Sequence, residues 1–186
     1  MTMLHPTAEI DDEVDVGDHS KVWAHVQIRS GAHIGSECVL GRNSFVDLDV
    51  RVGDRVKIQN NASLYEGVTL EDGVFIGPHV VFTNDKVPRA INPDGRLKTT
   101  DDWVLGATTV RYGAAIGANA VIVTGVEIGR WAMIGSGTVV TRDVPDHALV
   151  VGNPGRLVGW VSASGERFDT QDEAISTTEA EAMAPR

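Results

Sequence analysis

The chain reads as an all-β parallel solenoid of about seven triangular coils, and three observations predict it. The first is a period of six. Stepping from Leu4 gives Ile10, Val16, Val22, Ile28, Ile34, Leu40, Val46, Val52, Ile58, Leu64, Leu70, Ile76 and Phe82, fourteen consecutive large apolar residues. The second is a small residue or Val four places after each of the first thirteen, from Ala8 and Val14 to Val74 and Val80. The third is composition: 20 Gly with only 5% aromatic residues favour tight corners over a bulky aromatic core.

Each element follows from that period. A helix would repeat at about 3.6 residues and a plain hairpin sheet would alternate strictly, so neither fits. Two inward residues in six fit a short strand and a turn, and three such units close one triangular coil. Stacked coils pair backbone to backbone and bury the inward residues in columns. Full burial of each large aliphatic side chain contributes about 1.5–3 kcal/mol. The pattern resumes in a new phase at Val104, Val110, Ile116, Ile122, Ile128, Ile134 and Val140, which brings the hexads to twenty-one. Gly17, Gly35, Gly41, Gly53, Gly77, Gly117, Gly129 and Gly135 fall next to the large residue and are expected at corners.

The repeat domain is expected over residues 1–161, with an inserted loop at 83–103 where Pro88, Pro93 and Gly95 break the pattern. Residues 162–186 form an acidic tail without hexads, expected to be frayed or disordered with at most a short helix near Glu173–Met183. A long insertion on a rigid scaffold commonly carries a site.

The net charge of -10 excludes a broad basic surface for nucleic acid. No stretch approaches the roughly 18 apolar residues of a membrane span. The start has no apolar leader, and the lone Cys38 falls at an inward small position. A cytoplasmic protein is expected. The histidines, His5, His19, His25, His33, His79 and His147, show no close ligand spacing, so no metal is expected.

The hexad pattern, with a C-terminal run from Val144-Pro145-Asp146 to Gly152-Asn153-Pro154-Gly155, resembles the hexapeptide-repeat acyltransferases. The segments Lys57–Asn61, Gly77–His79, Phe82–Asp85 and Pro88–Ala90 are similar to the nucleotide-sugar 3-N-acetyltransferases. The loop from Ile91 to Lys98 resembles the branch that acts on UDP-linked 2-acetamido-3-amino-glucuronate; the alternatives are the branch that acts on dTDP-linked 3-amino-3,6-dideoxyhexoses, an O-acetyltransferase, or a non-catalytic structural solenoid. The resemblance implies a left-handed helix, a homotrimer, acetyl-CoA as co-substrate and an active site walled by the loop.

On that resemblance Asn84 is the first candidate for a chemical role. No His lies between Asn84 and Trp103, and an amine, unlike a hydroxyl, attacks once neutral and needs no strong base. His79 is the rival base, although it shares an 18-residue column with His25, Asn43 and Asn61 that reads equally as a structural ladder. Gln59, Asn60, Asn61, Tyr65, Glu66, Asp85 and Arg89 are the substrate-binding candidates. Gly117, Ala118, Gly135 and Ser136 are expected along the pantetheine arm of acetyl-CoA, with Arg142 and Arg156 on its phosphates.

Overall fold

The computed structural model describes residues 1–184 and is a three-faced parallel solenoid closed by a C-terminal cap. Face 1 stacks eight parallel strands, from Met3–Leu4 through Lys57–Ile58, Phe75–Ile76 and Ala115–Ile116 to Ala148–Val151. Face 2 stacks seven, from Glu9–Ile10 through Val81–Phe82 and Val121–Ile122 to Val139–Val140. Face 3 stacks six, from Asp15–Val16 through Val68–Leu70 and Thr108–Val110 to Glu127–Ile128. The extra face-1 strand makes about eight turns where the hexads predict about seven. Coils are numbered from the N-terminus, so Phe75, Val81 and Thr108 open the three strands of coil 5.

The pairing register is eighteen residues, as in Lys57 with Val39 and Lys57 with Phe75. Apart from Val104, both inward columns are buried from Val22 onward, as the hexads require. Two inward assignments fail at ends. Leu4 is 51% exposed because no coil lies beneath it. Val104 is 84% exposed: Phe75 pairs with Ala115, forty residues on, so the insertion is one residue longer than expected and the inward register resumes at Thr108 and Val110. Cys38 is buried, and burial pushes its thiol pKa up.

The corner glycines are explained by close approach. A Cβ on Gly117 would lie 2.6 Å from the Ser136 nitrogen, and one on Gly77 2.7 Å from the Ala118 nitrogen. The left-handed residues stand two places later and include His25, Asn43, Asn61, His79 and Asn119, with φ between 58° and 61°. Asn and His tolerate this region better than most residues.

Three edges separate the faces, named here 1–2, 2–3 and 3–1. Edge 3–1 is bonded throughout its middle coils. Asp54 Oδ1 accepts from Ser36 N–H at 2.7 Å, and Asp72 Oδ1 accepts from Asp54 N–H at 3.0 Å. Arg111 donates to Glu71 at 2.8 Å and to Glu127 at 2.7 Å, tying coils 4, 5 and 6 at the level of the insertion. Burial alone would raise the Glu71 pKa, but hydrogen bonds from Arg111 and Tyr112 hold it below the usual carboxylate range.

The tail is more ordered than a frayed segment, and its helix falls where the short helix near Glu173–Met183 was expected. Arg156–Val161 and Arg167–Phe168 continue face 1 as antiparallel strands, and a helix spans Gln171–Met183 with Thr170 as its N-cap. Ala174 is fully buried, Glu181 bonds Ser162 and Ser164, and Ala163 N–H donates to Thr178 at 2.8 Å. Periodicity misses this helix because polar contacts and one alanine hold it. Pro185 and Arg186, which also belong to the expected tail, lie outside the described residues. No helix among the described residues is long and apolar enough to cross a membrane.

Candidate functional site

Asn84 stands at the root of the insertion, three residues past the start of its face-2 strand. Its carbonyl accepts from Gly106 N–H at 3.0 Å, which clamps the entry of the loop to its exit. Its half-buried side-chain amide makes no hydrogen bond among the described residues. The register Val81–Val121–Val139 puts Asn84, Thr124 and Arg142 at one position of edge 2–3 on coils 5, 6 and 7. Glu66 occupies that position on coil 4, below Asn84, with Tyr65 beside it. Tyr65 is 39% exposed and meets the Phe45 ring edge-on at 5.6 Å.

Thr124 is a group that the sequence reading missed. Its N–H donates to Thr83 Oγ1 at 3.0 Å, yet its own hydroxyl is buried without a partner. A Cβ on Gly106 would collide with that hydroxyl, so the loop can return past Thr124 only as glycine.

The loop itself is largely exposed. Asp85 accepts from Val87 N–H at 2.7 Å and shapes the first turn. Arg89 is exposed and donates to the Pro88 carbonyl at 3.3 Å. Arg96 is paired with Asp94 at 2.7 Å. Between the loop and the prism lies a cavity of about 330 Å³ lined by Asp85, Lys86, Lys98, Trp103 and Leu105 among others.

The remaining candidates lie elsewhere. Gln59, Asn60, Asn61 and His79 sit on edge 1–2, across face 2 from Tyr65, Glu66 and Asn84, so one chain does not gather the two sets. Asn60 Oδ1 accepts from Arg42 N–H at 2.9 Å, the same bracket that Asp54 and Asp72 make on edge 3–1. Asn43 Nδ2 donates to Asn61 Oδ1 at 3.1 Å, and Asn61 Nδ2 lies 3.3 Å from His79 Nε2. The ladder reading thus describes three of the four residues in that column. Below Gln59 on the same edge, Trp23, Gly41 and Arg42 line a recess of about 270 Å³.

The donor candidates also divide. Gly117, Ala118, Gly135 and Ser136 form a side-chain-poor strip on edge 1–2, on coils 6 and 7. Arg142 and Arg156 converge on a cavity of about 160 Å³ at the C-terminal end of edge 2–3. Two exposed guanidinium groups at one recess suit phosphates. Among the described residues no three His, Cys, Asp or Glu side chains converge as a metal site would require.

A three-faced parallel prism with one long loop on one edge defines a class of scaffold, the six-residue-repeat solenoid. Residues 49–84 and 108–142, on either side of the insertion, match the bacterial transferase hexapeptide (six repeats) model. The hexapeptide repeat of succinyl-transferase matches residues 31–66. A stretch of 56 residues is 61% identical to dTDP-3-amino-3,6-dideoxy-alpha-D-galactopyranose 3-N-acetyltransferase of Aneurinibacillus thermoaerophilus, covering 30% of this chain and 29% of that protein. The chain therefore spans less than a third of that relative. A hexapeptide-repeat acetyltransferase of Vibrio cholerae, solved with acetyl coenzyme A, is 28% identical over 67% of this chain and 70% of its own, with a TM-score of 0.50. PerB of Caulobacter crescentus, solved with CoA and GDP-perosamine, shares the fold at 24% identity and a TM-score of 0.51, over 85% of this chain and 57% of its own.

Proposed function

We propose that this protein is an acetyl-CoA-dependent N-acetyltransferase acting on the 3-amino group of a nucleotide-linked amino sugar. The observation that carries the reading is the unbonded Asn84 amide at the root of the loop, on one edge with Arg142 two coils above it. The names of the Aneurinibacillus and Vibrio relatives support the class and the donor. The former also favours a dTDP-linked 3-amino-3,6-dideoxyhexose over the UDP-linked 3-amino-glucuronate that residues 91–98 resemble.

The active unit in this reading is a homotrimer. The outward row of face 2 is apolar on coils 3 and 5 to 7, with Phe45, Val81, Val121 and Val139 all half-buried around Ser63 on coil 4, whereas the outward row of face 3 is polar, with His33, Arg51, Thr69, Thr109 and Glu127. Turning face 2 towards a threefold axis covers the apolar row. It also brings edge 2–3 of one chain against edge 1–2 of the next, a heterologous contact that closes as a ring. The two divided residue sets then share one groove. Donor candidates lie from coil 6 upward, acceptor candidates on coil 4 and in the loop at Asp85 and Arg89, and Asn84 and the neighbour's His79 on coil 5.

In that groove the neutral sugar amine attacks the thioester carbonyl carbon. The C–N bond forms as the carbonyl π pair moves to oxygen; the tetrahedral oxyanion then collapses, the C–S bond breaks, and the amine proton leaves on sulfur as the free thiol. Asn84 Oδ1 accepts a hydrogen bond from the amine and orients its lone pair. Backbone N–H groups beside the loop hold the oxyanion.

The test is thiol release from acetyl-CoA with dTDP- and UDP-linked 3-amino sugars, with product masses measured. One added acetyl on a 3-amino sugar is the expected result. Release with sugar hydroxyls and with no amine contradicts the reading.

A further inference from the structure

We propose that the recess between Trp23 and Gln59 on edge 1–2 holds the base of a nucleoside diphosphate, with Arg42 on its phosphates. The proposal deepens the function proposed above and rests on its nucleotide-linked acceptor.

The recess is a consequence of one glycine. Trp23, Gly41 and Gln59 each follow a face-1 strand at the same position, on coils 2, 3 and 4. Gly41 has no side chain because the coil above comes too close: a Cβ there would lie 2.6 Å from the Asn60 nitrogen. Its absence leaves about 270 Å³ between the indole below and the Gln59 amide above. Adjacent coils are spaced by about 4.8 Å, so two coils separate these groups by roughly 9.6 Å. Stacked rings keep centroids about 4.5–7 Å apart, which leaves room for one planar ring between them. Trp23 is 46% exposed and forms no aromatic pair among the described residues.

Charge supplies the second observation. Arg42 on the rim, and Lys21 and Lys57 on the adjoining face, make no ion pair among the described residues. Other described cations, such as Arg51 and Arg130, are unpaired as well, and what distinguishes these three is their place together beside the recess. Three unpaired cations beside a lone indole, in a chain of net charge -10, fit a ligand that joins a flat ring to anionic groups.

Coenzyme A also carries a base and phosphates, and axial level separates the two sources. The recess spans coils 2 to 4, below Asn84 on coil 5, whereas Arg142 and Arg156 lie above it. A nucleotide in the recess extends its sugar upward towards Asn84 of the neighbouring chain.

The experiment titrates the full-length protein with UDP, dTDP and 3′,5′-ADP by calorimetry, for wild type, Trp23→Ala, Trp23→Phe and Arg42→Gln. UDP or dTDP is expected to bind wild type and to weaken about tenfold in Trp23→Ala, as loss of base stacking predicts. Trp23→Phe retains most of the affinity, Arg42→Gln weakens it with a shallower salt dependence, and 3′,5′-ADP is indifferent to all three. The acceptor KM rises in parallel while kcat and the acetyl-CoA KM hold. Equal UDP and dTDP affinity in wild type, Trp23→Ala and Arg42→Gln overturns the proposal, as does a loss confined to 3′,5′-ADP. Trp23-dependent nucleotide binding without acetylation of any amine keeps the recess and removes the transfer reading. Acetylation with an acceptor KM indifferent to Trp23 and Arg42 does the reverse.

Discussion

Edge 3–1 and the upper half of edge 2–3 are built from the same six-residue unit and treat polar side chains in opposite ways. On edge 3–1 Asp54, Asp72, Asp146, Glu71, Arg111 and Glu127 each bond a neighbouring coil. On edge 2–3 the Asn84 amide, the Thr124 hydroxyl and the Arg142 guanidinium have no side-chain partner among the described residues. Of the three only the Thr124 hydroxyl is buried, where a missing partner costs about 1–3 kcal/mol, while the half-buried Asn84 amide and the exposed Arg142 guanidinium are left free to meet a ligand.

Substitutions on the two edges should therefore move different observables. The largest effect is expected for Asn84→Ala, a fall of about 10²-fold in kcat with unchanged thermal unfolding, in line with the loss of one positioned polar group. Steady-state rates beside a melting curve check it. On edge 3–1, Asp72→Ala removes the bracket above Asp54 and the pair with Arg55, and should lower stability by about 1–2 kcal/mol in urea with kcat intact. His79→Asn keeps a residue suited to the left-handed corner and should change kcat by less than about threefold if the ladder is its role. A loss as large as that of Asn84→Ala would move His79 into the chemistry.

The smallest effect is expected at Glu71. Its folded pKa is depressed, so its contribution is complete above the ordinary Glu value of about 4.3 and is lost as pH falls through the folded value. The pair is partly exposed, so solvent screening limits it to roughly 0.2–1 kcal/mol. Urea midpoints between pH 3 and pH 6, compared with Glu71→Gln, should show the wild-type excess shrinking on the acid side.

The hexads made the fold legible because burial in a prism this narrow admits two inward residues in six and little else. They failed at Leu4 and Val104, where a neighbouring coil is missing or the chain has left the prism. The place of the tail helix was legible but its docking was not, since Ala174 and the bonds to Ser162 and Ser164 leave no apolar stripe. Asn84 was legible as the residue beside the break. The division of Gln59–Asn61 from Tyr65 and Glu66 was also present in the numbering, because six residues move the chain to the next edge. Trp23 needed the step of eighteen through Gly41 to Gln59, and Thr124 needed coordinates, because an unmet hydroxyl leaves no mark in a pattern of apolar residues.

The account stands or falls on a site shared between edges of adjacent chains, and subunit complementation tests this most directly. Asn84→Ala chains disable edge 2–3, and Trp23→Ala/Arg42→Gln chains disable edge 1–2. Each is assayed alone at low acceptor concentration and then after co-refolding at equal amounts. Random mixing in a closed ring leaves about a quarter of the interfaces with both edges intact, so activity should recover to about a quarter of wild type. Activity no greater than the mean of the two separate variants would contradict a shared site.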